Sequence, residues 1–281
     1  MAGERLPSFD LVVATVDRVS ELRRLLASLE AQTHRDFRVL LVDQNEDDQL
    51  EPVLREQRQF DVIRLRSERG LSRARNAAVR GVEADLVAFP DDDCVLADDL
   101  LERVAQRFAA NPSLGGLTGR AVDEAGNSSP SWANDPKILT RENLWNRAIS
   151  FTMFLRAPLV AQVGRFDEEL GLGAATPWTS GEEIDYLLRG LDTGARIEYD
   201  PALVVTHPDK RVSPSARRSL AARDGASIGY ILRKHDYPKR MVGRMFIRPL
   251  VGALVAFARG DRAQAAFQLS TLRGRLLGYR S

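Results

Sequence analysis

The stretch VAFPDDDCVL, Val87–Leu96, decides the fold. An apolar run ends at Phe89, and three carboxylates, Asp91, Asp92 and Asp93, follow one proline later. Like charges this close repel, and they cannot be buried without partners. Pro90 is tolerated because the strand is ending there. In an open α/β sheet, the carboxyl end of a strand is where ligands bind.

Working outward, FDLVVATV (Phe9–Val16) and FRVLLV (Phe37–Val42) are apolar, β-branched runs of the kind a doubly covered parallel strand shows. Between them Ser20 is placed to cap a helix whose Leu22, Leu25, Leu26 and Leu29 recur at helical spacing. A polar, helix-compatible stretch follows Asp43 as far as Gln59, and Val62–Leu65 is a short strand. Gly70 marks a turn, Ser72 caps a helix to about Val82, and Leu86–Phe89 is the strand that delivers the aspartates. Asp98 and Asp99 open the next helix.

Residues Val122–Asn146, rich in Gly, Ser, Pro, Asn and Trp, read as a long loop or insertion, where functional lids are often found. Phe151–Leu155 reads as a strand, Gly181–Leu191 as a helix and Leu203–Val205 as the last strand, ending in Thr206 and His207. This alternation predicts an α/β fold with a mainly parallel sheet. Thr15, Asp17, Arg18, Asp43, Asn45 and the aspartate triplet all fall just past strand ends, so one site is expected there.

The 281 residues allow one large domain or a domain with an appendage, and 44% hydrophobic with 28% charged residues is an ordinary globular composition. MAGERLPSFD holds charges and no apolar run, so no secretory signal is expected. The single Cys94 excludes an internal disulfide and a multi-cysteine metal site and fits a reducing, cytoplasmic setting.

The net charge of +1 hides an asymmetry. From Lys210 onward sixteen Lys and Arg face three Asp, which leaves twenty-four basic and thirty-six acidic residues before it. Two parts are therefore expected, residues 1–211 and a basic helical extension over residues 212–281. In RMFIRPLVGALVAFARG, Arg244–Gly260, the uncharged run Pro249–Ala258 is too short to span a bilayer, and an interfacial amphipathic helix is the expectation. The basic part could dock on the acidic one or meet an anionic inner leaflet, and peripheral membrane attachment is the reading adopted. Nucleic acid is not an expected partner, since aromatic platforms and a recognisable motif are missing.

An arbitrary acidic triplet is commonly a solvated turn. Here a divalent cation, magnesium or manganese, would relieve the repulsion, and extended alternation puts Asp91 and Asp93 on one side. In SGEEIDYLLR, Ser180–Arg189, the carboxylates of Glu182, Glu183 and Asp185 suit the positive end of a helix, and equally suit a general base. His207 reads either as a third metal ligand or as a surface histidine. GLSRARN, Gly70–Asn76, sets two arginines at a helix start, which suits a diphosphate or simply a solvated helix. No GxGxxG, GxxxxGK[ST] or GxSxG motif is present.

Taken in order, VVATVDR, LLVDQN, GLSRARNAAV, VAFPDDDC, VGRFDEELG, SGEEIDYLLR and YDPALVVTHP resemble family-2 glycosyltransferases over about Phe9 to Pro208. The resemblance implies a GT-A fold, a nucleotide-sugar donor, preferably UDP-linked, and transfer with inversion to a saccharide or lipid-linked acceptor. It implies nucleotide-sugar contacts from Thr15, Arg18, Asp43, Asn45, Arg75, Asn76, Asp91 and Asp92, with Trp178 stacking on a sugar or sitting in the core. It further implies that Asp91, Asp93 and His207 bind Mg2+ or Mn2+. Glu183 matches the catalytic position of the family's Glu-Asp motif with Glu where Asp is usual, so Glu182 and Asp185 stay open as bases. Two other readings are a sugar nucleotidyltransferase, for which ATVDRVS lacks the Gly-rich loop, and a non-catalytic nucleotide-sugar-binding membrane adaptor.

Overall fold

In the computed structural model, which describes residues 5–129, 131–208 and 213–281, strand β1 (Phe9–Thr15) is buried along almost its whole length. Helix α1 (Val19–Glu30), β2 (Phe37–Asp43), the helical turn α2 (Glu51–Leu54), β3 (Asp61–Arg66), α3 (Leu71–Val79) and β4 (Leu86–Ala88) continue the alternation. β1 pairs in parallel with β2 and with β4, and β2 in parallel with β3. Thr15 is in register with Asp43, so both reach the same edge as the residues that follow Ala88.

Next come β5 (Val95–Leu96), α4 (Leu100–Ala110), β6 (Leu114–Val122), β7 (Lys137–Ile138), β8 (Met153–Arg156), α5 (Ala157–Val163), α6 (Glu182–Asp192) and β9 (Arg196–Thr206). Among the described residues these complete a nine-stranded sheet of order β3-β2-β1-β4-β8-β6-β9-β5, with β7 paired to β9. The long ladders are parallel, and the antiparallel ones are two or three residues each. β8 is antiparallel to both β4 and β6. Two reversals cancel, so β6 and its parallel neighbour β9 run with β4 and bring His207 to the aspartate edge.

Phe9, Leu11 and Val13 of β1 pack with Leu22, Leu25 and Leu29 of α1 in the core on one face of the sheet. On α4, Leu101, Val104 and Phe108 join the same cluster. Periodicity at i, i+3 and i+4 puts those leucines on one stripe of each helix.

Several boundaries differ from the sequence reading. Arg18, not Ser20, is the N-cap of α1, and the Ser20 hydroxyl donates to Glu21 instead. Ser72 lies inside α3, which ends at Val79, and its hydroxyl donates to the Leu170 carbonyl. The stretch read as a loop from Val122 contains β7 and a short 3-10 turn, Leu144–Asn146. Phe151 belongs to the 3-10 turn Ser150–Thr152 ahead of β8, and the last strand begins at Arg196 rather than Leu203.

The chain divides into two compact units. The sheet belongs to the first, and the second gathers Gly70–Ser72, Asp167–Asp185 and Lys210–Ser281. The basic residues therefore share their unit with part of the segment that carries Glu182, Glu183 and Asp185. In this second unit are α7 (Pro214–Lys234), α8 (Lys239–Ala258) and α9 (Arg262–Arg280). Ser213 and Asp261 accept from the Ala216 and Gln264 amides and so cap α7 and α9.

α7 and α9 meet backbone to backbone through Gly225 and Gly229 on one and Gly274 and Gly278 on the other. A Cβ on Gly278 would lie 1.9 Å from the Ala226 oxygen, and one on Gly274 would lie 2.0 Å from that of Ala222. These pairings climb together along both helices, so α7 and α9 run parallel. The sequence reading took only Pro249–Ala258 as an apolar run. The structure forms one 20-residue helix through Pro249, long and apolar enough by length and composition to cross a membrane.

Candidate active site

The first group of site residues stands at the carboxyl edge of the sheet. Among the described residues, one ligand atom each from Asp91, Asp93 and His207 lie within 4.8 Å of one another. His207 Nε2 is 3.0 Å from Asp93, and its imidazole stacks at 4.8 Å on Phe151 with the planes 10° apart. Two carboxylates and an imidazole form a donor set that fits a divalent cation. Those three residues and Phe151 come from three separate parts of the chain, brought together by the topology.

The middle carboxylate of the triplet does something else. Asp92 is buried and accepts from the Thr15 hydroxyl at 2.7 Å and from Arg18 at 2.8 Å. The same Arg18 nitrogen donates to Asp93 at 2.8 Å. Burial works against the charge on Arg18, but Asp92 and Asp93 outweigh it and raise its pKa. Burial likewise raises the Asp92 carboxyl, against the pull of Thr15 and Arg18. A left-handed residue, Asp17 at φ 57°, turns the chain between β1 and α1, and its amide donates to Asn45. Thr15 and Asp92, expected at the nucleotide, are thus each other's partners and tie the first loop to the triplet.

Asp43 is fully buried and accepts from Asn45 and, at 2.6 and 2.9 Å, from Arg64 of β3. Arg75 is also buried, with its guanidinium 3.3 Å from Asp91 and 5.5 Å from the Phe166 ring centre. Asn76 donates to the Phe166 carbonyl and accepts from the Phe166 amide. That two-point grip fixes main chain at Phe166. Arg73 pairs with Glu68 at the surface.

The acidic turn belongs to the second unit. Gly181, at φ 87°, precedes α6, and any Cβ there would meet Ile231 at 2.5 Å. Asp185 is fully buried and lies 2.6 Å from Lys234 Nζ and 2.9 Å from His235 Nε2. A carboxylate so enclosed holds the helix start in place. Glu182 is buried, and Glu183 alone of the three keeps partial exposure. Trp178 is 7% exposed, and its indole stacks at 5.0 Å on Tyr230. Of its two expected roles, packing in the core is the one adopted.

The sequence model described as Glycosyl transferase family 2 matches residues 10–164. The chain belongs to that family. It is similar to an uncharacterized glycosyltransferase of Haemophilus influenzae, 27% identical over 73% of this chain and 70% of that protein. A pre-mycofactocin glycosyltransferase of Mycobacterium tuberculosis is 26% identical over 70% of this chain, but the match spans only 42% of its length. In fold, the chain is similar to S. aureus TarS in complex with UDP-GlcNAc (TM-score 0.64, 18% identity, 95% of this chain and 90% of that one). It is similar also to the Pyrobaculum calidifontis mannosyltransferase PcManGT in complex with GDP-Man and Mn2+ (TM-score 0.65, 15% identity, 98% and 88%). These likenesses establish the GT-A fold, and the family makes the chain a glycosyltransferase, which sets the nucleotidyltransferase reading aside.

Family membership fits a site built from strand ends. Sequence reasoning passed over Arg64, Phe151, Lys234 and His235. Arg64 sits in DVIRLR, where basic residues alternate with apolar ones, and that alternation was the available signal. Phe151 gave none, because a phenylalanine in an apolar run has no visible partner until the chain folds.

Proposed function

We propose that this protein moves a hexosyl group from a nucleoside-diphosphate sugar to an acceptor hydroxyl on a glycan or lipid-linked saccharide, with inversion and with a divalent cation. The observation that carries the reading is the convergence of Asp91, Asp93 and His207 beside a loop locked by Arg18. These three residues would hold Mn2+ or Mg2+. When bound, such a cation neutralises charge that develops on a departing diphosphate. Arg18 keeps Asp92 and Asp93 paired and oriented, so the carboxylates are pre-set. Asp43, held by Asn45 on one oxygen and Arg64 on the other, is assigned to the nucleobase end of the site.

Glu183 is our choice of general base, since Glu182 is buried and Asp185 is enclosed by Lys234 and His235. Its carboxylate would take the acceptor hydroxyl proton as that oxygen attacks the anomeric carbon, help worth roughly 10²–10⁴-fold. A uridine donor is favoured because TarS carries UDP-GlcNAc and three relatives are named N-acetylglucosaminyltransferases, while PcManGT carries GDP-Man. The location that goes with this reading is the cytoplasm, peripherally at the inner face of the cell membrane.

The test is a thermal-shift screen of nucleotide-sugars with and without manganese, followed by transfer assays on the donor that stabilises most. We expect stabilisation that requires manganese and is lost in Asp93→Ala, and a product of inverted anomeric configuration. Glu183→Gln should keep donor stabilisation and lose transfer. Donor turnover untouched by a chelator would sink the proposal.

A further inference from the structure

Helix α8 carries its bulk on the outside. Its buried positions are Met241, Pro249, Ala253 and Ala256, whereas Leu254 and Phe257 are 63% and 73% exposed. Val251 and Ile247 lie one and two turns before Leu254 on the same stripe and are also exposed. Arg240 and Arg244, exposed as well, continue it toward the helix start, and the exposed Arg248 flanks it beside Ile247. Monomeric soluble proteins seldom leave contiguous large apolar side chains uncovered, and such patches mark interaction surfaces.

Charge decides among the partners that could cover this face. α8 contains no acidic residue. In the described residues of the C-terminal helices the acids are Asp224, Asp236 and Asp261; the first accepts from Ser180 and the last caps α9. The α8 of a second copy would therefore offer these arginines no carboxylate. A spanning α8 would carry guanidinium groups into hydrocarbon, where charge is costly and rare. Lying flat, the helix keeps its arginines at headgroup level and its apolar side chains at the acyl boundary.

We propose that the outward stripe of α8 is a docking surface for an anionic lipid bilayer, with Leu254 and Phe257 inserted and Arg240, Arg244 and Arg248 on the lipid phosphates. This deepens the peripheral location given above and is independent of sugar transfer, because it is read with no donor present. Each arginine near such a surface contributes roughly fivefold to partitioning, so the three together supply roughly a hundredfold.

The experiment is co-sedimentation of the full chain with vesicles of phosphatidylcholine, with and without phosphatidylglycerol. Wild type should bind the phosphatidylglycerol vesicles and leave pure phosphatidylcholine largely unoccupied. The double variant Leu254→Glu, Phe257→Glu, at exposed positions, should lower vesicle binding at least tenfold with an unchanged melting temperature. Arg240→Gln, Arg244→Gln and Arg248→Gln together should remove the preference for phosphatidylglycerol. Equal binding by the glutamate variant would mean generic polyanion attraction and overturn the proposal. So would a wild-type dimer in sedimentation velocity that Phe257→Glu dissolves, since a second copy would then cover the face. Loss of vesicle binding with donor stabilisation intact separates this result from failure of the transferase reading.

Discussion

Lys234 Nζ stands 2.6 Å from the buried carboxylate of Asp185, and the next residue, His235, closes on the same oxygen. The end of α7 thus pins the first turn of α6, the turn on which Glu182 and Glu183 also lie. A second acid, Asp167, accepts from the same lysine. The end of α7, within the basic extension, is in this respect part of the acidic turn's support.

Breaking that pair should cost more than removing the proposed base. Asp185→Ala takes the buried carboxylate from Lys234 and His235 and should cost about 1–3 kcal/mol, since Lys234 keeps Asp167. Glu183→Gln, at a partly exposed position, should change stability by less than about 0.5 kcal/mol. Urea unfolding of both variants checks the contrast. Equal stabilities would remove the clamp from consideration.

The contact between α7 and α9 gives a prediction of opposite signs from one chemical change. Gly278→Ala forces a methyl to within 1.9 Å of the Ala226 carbonyl oxygen and should destabilise by about 3 kcal/mol. Gly243→Ala in α8 meets nothing within 4 Å and should gain up to about 1 kcal/mol from helix propensity alone. Melting temperatures should move apart accordingly.

Acid sensitivity should depend on Asp10. Burial raises the pKa of this carboxyl, but Arg38 and the Glu83 and Ala84 amides outweigh burial and hold it below 3.8. A folded-state pKa below the unfolded one gives stability that is present above 3.8 and lost as the pH falls through the lowered value. Asp10→Asn should therefore cost about 3 kcal/mol at neutral pH. The difference from wild type should shrink below pH 3.8. Denaturant midpoints across that range measure it, and a gap that widened on acidification would contradict the assignment.

Phe151 should matter to metal affinity without being a ligand. Its ring lies flat against His207 and sets the plane in which Nε2 faces Asp93. Phe151→Leu keeps the site apolar but removes that face, and loss of such a supporting contact should weaken Mn2+ binding by about tenfold. Calorimetric titration with manganese reads this directly, without a sugar donor.

Much of this was legible in the chain itself. FDLVVATV and FRVLLV are apolar on both faces, and a strand can be so only between two layers of helix. Asp91 and Asp93 announced themselves because carboxylates crowded at a strand end must find a cation or a cationic side chain. Periodicity marked the leucines of α1, since the period of a helix is a local property.

What the sequence could not hold was the pairing of residues distant along the chain. That Asp92 belongs to Thr15 and Arg18, while Asp93 faces His207, depends on β4 lying beside β1 and on the two reversals through β8 that return β9 to the same edge. Asp185 looked like its acidic neighbours until folding placed Lys234 and His235 against it. Local side-chain chemistry and spacing fixed the kind of fold and the kind of site. Which carboxylate is taken up as support is set by neighbours that only the folded backbone brings within hydrogen-bonding distance.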